Sequence, residues 1–175
     1  MKFEIRSGPM SQPTETVTAA DAKAKPKIWI DADACPAAIK DVVFRTSNRL
    51  QLEVVLVANQ SMHIPDSKLI TSLTVRDGAD IADNVIVEKM SRGDVVITGD
   101  IPLAARVVEN EGIAIGTRGE LYDEASVKSR LASRNLMEQL RSAGMETRGP
   151  KPLNQKDVQA FANQMDRLLT KLLRK

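Results

Sequence analysis

The chain has 175 residues, 42% of them hydrophobic and 3% aromatic, enough for one sizeable core built from Val, Ile, Leu and Ala rather than from rings. One cysteine, Cys35, excludes an internal disulfide, and one histidine, His63, excludes a zinc site with several Cys or His ligands. No apolar run reaches the roughly 18–20 residues that span a bilayer, and the first residues lack the apolar stretch of a secretion signal, so the expectation is a cytoplasmic protein without a membrane partner.

The net charge of +2 is the remainder of two opposed regions. Residues 28–117 hold 8 Lys/Arg against 13 Asp/Glu, a net of −5, whereas residues 118–175 hold 12 against 7, a net of +5. That division suits a metal-binding site beside a polyanion-binding surface.

Residues 1–26, rich in Thr, Ala, Ser, Pro and Lys and without a sustained period, read as a disordered extension. From Lys27 the pattern changes. Ile28–Ile30 is a short apolar run that ends in Asp31-Ala32-Asp33, and Pro36 suits the first turn of a helix whose apolar face is Ile39, Val42, Val43 and Leu50. Glu53–Ala58 is β-branched and nearly continuous in apolar residues, as in a strand covered on both faces. Leu73–Val75 is a shorter strand candidate, and Asp77 and Gly78 open a helix from Ala79 to Met90. Asp94–Thr98 reads as a buried strand ended by Gly99 and Asp100; Pro102 starts a helix through Glu109; Ile113–Ile115 is the fifth strand. Strands alternating with helices, without hairpin signals, predict a three-layer α/β/α sandwich around a parallel sheet of about five strands. Two helices complete the chain, one from Asp123 to about Ala143 and one capped by Asn154, whose Val158, Phe161, Met165, Leu168, Leu169 and Leu172 form an amphipathic stripe. The last, residues 154–175, is expected to pack on the domain.

Ligands of open parallel sheets bind beyond the carboxyl ends of the strands, where strand order reverses. Asp31 and Asp33 follow the first strand and Asp100 the fourth. Two residues apart on an extended backbone, Asp31 and Asp33 are expected to point the same way. Asp80 and Asp83, three apart at a helix start, share a face. Carboxylates gathered in one pocket repel each other unless a cation offsets them, and oxygen-only donors favour Mg²⁺ or Mn²⁺. Such an ion can activate water for phosphodiester cleavage, so Asp31, Asp33 and Asp100 are the candidate catalytic residues, and these three with Asp80 and Asp83 the candidate metal ligands. Simpler roles stand beside these: Asp80 as a helix-dipole partner and Asp100 as an N-cap. Thr98 is placed to orient water or phosphate. Arg118, after the fifth strand, is either a bidentate phosphate clamp or the partner of a pocket carboxylate. Arg148 and Lys151 are placed to meet a nucleic-acid backbone. Cys35 reads as a small packed side chain rather than a nucleophile.

The segments IDADACP (Ile30–Pro36), GADIADNVIVE (Gly78–Glu88), TGDIPLA (Thr98–Ala104), TRGELY (Thr117–Tyr122) and GPKP (Gly149–Pro152) closely resemble the YaiI/YqxD family of uncharacterised bacterial proteins, over about Lys27 to Leu153. The resemblance implies a PIN-like domain over residues 27–153, the fold of small nucleases that hold Mg²⁺ or Mn²⁺ with acidic residues and mostly cut RNA. It therefore implies RNA or single-stranded nucleic acid as partner. The family's Gly-Gly-Pro loop is Arg148-Gly149-Pro150 in this chain. Two other expectations compete. Asp-X-Asp after a first strand with a later Gly-Asp also marks haloacid-dehalogenase-type phosphatases, in which Asp31 would be the nucleophile, although Cys35 stands where such enzymes usually carry Thr. The third is a non-catalytic PIN-like module that binds nucleic acid or protein.

Overall fold

The computed structural model describes residues 24–78 and 80–174. Most of the extension expected at 1–26, its residues 1–23, lies outside them, as does Ala79, the expected first residue of a helix. The elements in chain order are β1 (Ile28–Asp31), α1 (Ala37–Leu50), β2 (Val54–Ala58), β3 (Ile70–Thr74), α2 (Ile81–Lys89), β4 (Val95–Ile97), α3 (Ile101–Glu109), β5 (Ile113–Ile115), β6 (Leu121–Tyr122), α4 (Glu124–Ser142) and α5 (Gln155–Leu173). The sheet runs β3-β2-β1-β4-β5-β6. Its first five strands in that order are mutually parallel, and β6 is antiparallel to β5.

The expectation of five parallel strands is met, with a sixth strand added. Two residues are too few to show a period, so β6 has no local signature. The turn before it does: Gly119 adopts φ +86°, a conformation L side chains rarely take. There the Gly116 N–H donates to the Glu120 carbonyl at 2.7 Å, which reverses the chain. β3 begins at Ile70 rather than Leu73, because Thr71 and Ser72 dilute the apolar signal of an edge strand.

Alternation along the buried strands feeds two cores. Ile28, Ile30, Val54, Leu56, Val95 and Ile97 pack with Ile39, Val42 and Val43 of α1 and with Phe161, Met165, Leu168 and Leu169 of α5. Trp29, Val57, Val96 and Ala114 pack on the other face with Ala82 and Ile86 of α2 and with Leu103, Ala104 and Val107 of α3. The result is helix, sheet and helix layers, with α5 an integral part of one core. Helix α4 is different. It leans on α3 through Val127, its one buried residue, and leaves Leu136 and Met137 exposed. Its own capping box, with Asp123 and Ser126 exchanging hydrogen bonds, and the Glu124–Lys128 and Arg134–Glu138 pairs support it locally. Among the described residues, no helix is long and apolar enough to cross a membrane.

One buried charge serves the fold. Asp94, at the amino end of β4, accepts hydrogen bonds from the Lys27 N–H and Trp29 Nε1, both at 2.9 Å, and from the Ser91 N–H at 2.8 Å. It lies at the opposite end of β4 from Thr98 and Asp100, and it fixes the Trp29 ring between β1 and the α2–α3 layer.

Candidate active site at the carboxyl edge of the sheet

The chain runs outward from β1 through β2 to β3, then returns to the other side of β1 as β4 and continues to β5. Strand order therefore reverses between β1 and β4, which are hydrogen-bonded neighbours with Ile30 level with Ile97. Connections leave these two strands toward opposite faces of the sheet, α1 on one and α3 on the other, which is where open parallel sheets commonly bind ligands.

Alternation decides which side chains lie there. Trp29 and Val96 face α2 and α3, so Asp31 and Thr98, two residues further on, fall on the same side. Both are buried, and the Thr98 hydroxyl donates to Asp31 Oδ2 at 3.0 Å. The same Thr98 oxygen accepts from the Asp100 N–H at 2.9 Å. Asp100 is also the N-cap of α3, with its Oδ1 a long 3.5 Å from the Leu103 N–H. Asp31, Thr98 and Asp100 thus form one connected chain of groups, and the capping role of Asp100 coexists with its place in it.

Helix α2 lies over β1 and β2 and touches α3. Asp83 occupies its first turn, half-buried, and its carboxyl is pushed up to about 6: burial is the main cause, and the charges of Asp100, Asp31 and Asp80 add to it while Arg106 opposes them. Burial likewise raises the Asp31 carboxyl; the Thr98 hydrogen bond offsets part of that, and Asp100 and Asp33 add to it. The mutual repulsion brings Asp31, Asp83 and Asp100 into one electrostatic unit.

Two expectations about the aspartates change. Asp33 does not point with Asp31. The strand stops at Asp31, the Ala32 N–H makes the next bond to the Val57 carbonyl, and the chain turns toward Pro36. Asp33 is consequently exposed and accepts from the Asn59 N–H at 2.7 Å. Asp80 does not share a helical face with Asp83 either. It precedes the helix as its N-cap residue, in a left-handed conformation with φ +61°, exposed and without a side-chain capping bond. Its contribution is charge rather than shared position.

The basic candidates lie elsewhere on the same edge. Arg118 is engaged by the Asp157 carboxylate and by the Lys151 carbonyl, which ties the β5–β6 turn to the start of α5. An ion pair was one of its two expected roles; its partner is a carboxylate of α5, not one of the pocket. A phosphate would have to displace Asp157 to reach it. Arg148 and Lys151 are exposed in the loop between α4 and α5. Three residues not singled out by sequence border the site. Lys40 Nζ donates to the Ala32 carbonyl at 3.3 Å, between Asp31 and Asp33; Arg106 acts on Asp83; Asn59 holds Asp33. A readable signal existed for two of them: Asn59 directly follows a parallel strand, and Lys40 lies one helical turn after Pro36. Cys35 is buried, and its thiol is pushed up to about 12, mainly by burial, so it packs rather than reacts.

The donors at this edge are carboxylate oxygens, the set that suits Mg²⁺ or Mn²⁺. Among the described residues, no three His, Cys, Asp or Glu side chains converge closely enough to enclose an ion by themselves. The five aspartates expected to act together as ligands therefore do not form one ligand set, and Asp31 and Asp100, joined through Thr98, are the pair left that could share an ion with water.

Comparison with known proteins agrees with the motif reading. The family described as "Uncharacterized BCR, YaiI/YqxD family" matches residues 29–171. A UPF0178 protein of Hydrogenovibrio crunogenus is 54% identical over 147 residues, covering 84% of this chain and 97% of the relative. UPF0178 proteins of Shewanella amazonensis and Shewanella piezotolerans are 53% and 50% identical, each over 83% of this chain and over 98% and 95% of their own lengths. No solved structure gives a significant match. With most of its length matched, and with the DADACP and GDIPLA segments joining Asp31 and Asp100 through Thr98 at the sheet edge, the chain belongs to the YaiI/YqxD family.

Proposed function

We propose that the chain is a PIN-like, Mg²⁺- or Mn²⁺-dependent phosphodiesterase acting on RNA or single-stranded nucleic acid. The observation that carries this reading is the Asp31–Thr98–Asp100 chain at the β1/β4 reversal, with Asp83 pushed up to about 6 by burial and by its acidic neighbours. Groups that repel one another in this way are stabilised together by a cation. Asp31 and Asp100 are the proposed holders of the ion, with Asp83 and the outlying Asp33 and Asp80 adding negative charge. Thr98 occupies one oxygen of Asp31 and so fixes the direction of the other. When bound, the ion supplies an activated water and neutralises charge on a phosphodiester. Lys40, Arg106, Arg148 and Lys151 offer positive charge for a polyanion, and binding of that kind weakens as salt rises.

The phosphoaspartate alternative has less support. Asp31 is 7% exposed with one oxygen held by Thr98, and Cys35 is sunk in the core. The test is incubation of the purified chain with a set of single-stranded RNAs and Mn²⁺. Cleavage that EDTA and Asp31→Asn each abolish is the expected result. Cleavage that persists in EDTA, or that Asp31→Asn leaves intact, overturns the proposal.

A further inference from the structure

The sheet ends at β3 on a row of unused backbone groups. Parallel ladders bond through alternate residues, and the two end bonds fix which ones: the Val54 N–H donates to the Leu69 carbonyl at 2.8 Å and the Val75 N–H to the Ala58 carbonyl at 2.9 Å. Val54 is level with Ile70 and Ala58 with Thr74. Thr71 and Leu73 therefore turn their backbone groups toward β2, and Ile70, Ser72 and Thr74 turn theirs outward. The Ile70 N–H is met by the Ser67 carbonyl at 3.2 Å. The Ile70 carbonyl and both backbone groups of Ser72 and Thr74 have no backbone partner among the described residues.

Natural edges are guarded by charge, proline, a bulge or a covering element. This strand, Ile-Thr-Ser-Leu-Thr, carries no charge, proline or glycine, and its register with β2 runs without a bulge. Helix α2 lies over β1 and β2. On that side of β3 Thr71 is exposed, and Leu73 and Val75 are half-buried. The free groups are also complementary to themselves. About a two-fold axis through Ser72, two antiparallel copies exchange the Ser72 N–H and carbonyl reciprocally. The Thr74 N–H of each then meets the Ile70 carbonyl of the other, and the Ile70 N–H, already bonded to Ser67, needs no partner. Thr71 falls opposite Leu73 of the second copy on the open side, a pair whose side chains pack closely. Lys68 and Arg76, both exposed, come to lie opposite each other, and these like charges keep the pairing weak and reversible.

We propose that the β3 edge is the interface of a homodimer, in which two copies of the chain join antiparallel about Ser72 into one continuous sheet. The joint lies two strands away from β1, so each copy keeps its own Asp31–Thr98–Asp100 chain. Sedimentation equilibrium of the full chain tests it. Between about 1 µM and about 1 mM the mass is expected to rise reversibly from 19.2 kDa to twice that value, with a Kd on the order of 10–100 µM, as suits a small interface. Amide exchange followed by NMR reads the register. The Ser72 and Thr74 amides are expected to gain protection as concentration rises, whereas those of Thr71 and Leu73, bonded within the sheet, are protected throughout. Ser72→Pro removes an outward donor that the β2 ladder does not use, the setting in which an edge strand accepts proline. Thr71→Lys places a charge on the exposed side, and it decides the matter alone if Ser72→Pro does not fold. A symmetric interface feels each substitution twice, so each is expected to weaken dimerisation roughly tenfold or more. Neither should move the melting temperature of the dilute chain by more than about 2 °C. The proposal falls if the mass stays at that of one chain throughout, or if a dimer forms that Thr71→Lys does not weaken. It falls as well if Ser72 and Thr74 are protected independently of concentration, a result that would assign the edge to residues 1–23 of the same chain.

Discussion

Replacing Asp83 by Asn removes one repelling charge from the acidic edge while keeping the side chain's shape. In the native state the Asp83 carboxyl is raised from its ordinary 3.8 to about 6. A raised carboxyl favours the folded state fully below the unfolded value, near 3.8, and that contribution disappears as pH climbs through about 6. Above 6 the wild type therefore carries an unfavourable charge that the Asn variant lacks. The full displacement corresponds to about 3 kcal/mol. The carboxyl is only half-buried, and screening by solvent reduces the expected gain to about 1 kcal/mol. Urea unfolding in EDTA at pH 8, 6 and 4 measures it. Asp83→Asn should be the more stable protein at pH 8, by about 1 kcal/mol or roughly 2–4 °C in melting temperature for a chain of this size, with the advantage shrinking toward pH 4. A variant less stable than wild type at pH 8, or an advantage equal at pH 8 and pH 4, would refute the claim that Asp83 is held among like charges.

Two further outcomes test the scaffold that positions that edge. Asp94→Ala should cost about 3 kcal/mol, because it leaves the buried Trp29 Nε1–H without its acceptor and deletes two backbone contacts; denaturant unfolding reads it, and a loss below about 1 kcal/mol contradicts the assignment. Gly119→Ala should destabilise by about 2 kcal/mol or more, since φ is +86° and an added Cβ would lie 2.9 Å from the Ala160 carbonyl oxygen and 3.1 Å from the Phe161 Cα; thermal melting unchanged from wild type would show that α5 yields there without penalty.

What local pattern could reveal was mostly strand ends and helix faces. The apolar runs that stop at Asp31 and at Thr98-Gly99-Asp100 mark two carboxylate-bearing strands, and the reversal rule predicts that they lie side by side, as they do. The stripe from Phe161 to Leu169 likewise announced a core helix. Contacts between residues distant in sequence were not readable. Arg118 meets Asp157 across 39 positions, Asp94 meets Trp29 across 65, and no period or turn residue encodes either. The errors at Asp33 and Asp80 share a cause. Both rested on extending a regular element one or two residues past its end, where the backbone had already turned, at Ala32 after β1 and at a left-handed Asp80 before α2. Asn59 escaped notice for the reverse reason: it lies past the end of β2, beyond the run that drew attention.

The placement of β1 has a consequence for motion. It is laddered on both sides, to β2 and to β4, and it sends Ile28 and Ile30 into one core and Trp29 into the other. Freeing the strand that carries Asp31 requires two ladders to part and two apolar layers to open together. Such an event is close to global unfolding, so the amides of Ile30 and Asp31 should exchange with solvent deuterium at the slowest rate in the molecule. Helix α4, with Val127 its one buried residue, Arg130 over the Tyr122 ring, and its own cap and surface pairs, sits at the other extreme. The acidic strand ends therefore last as long as the fold does, while α4 can open on a faster clock up to the point where the Arg118–Lys151 contact and Leu153 hold the following loop to the domain.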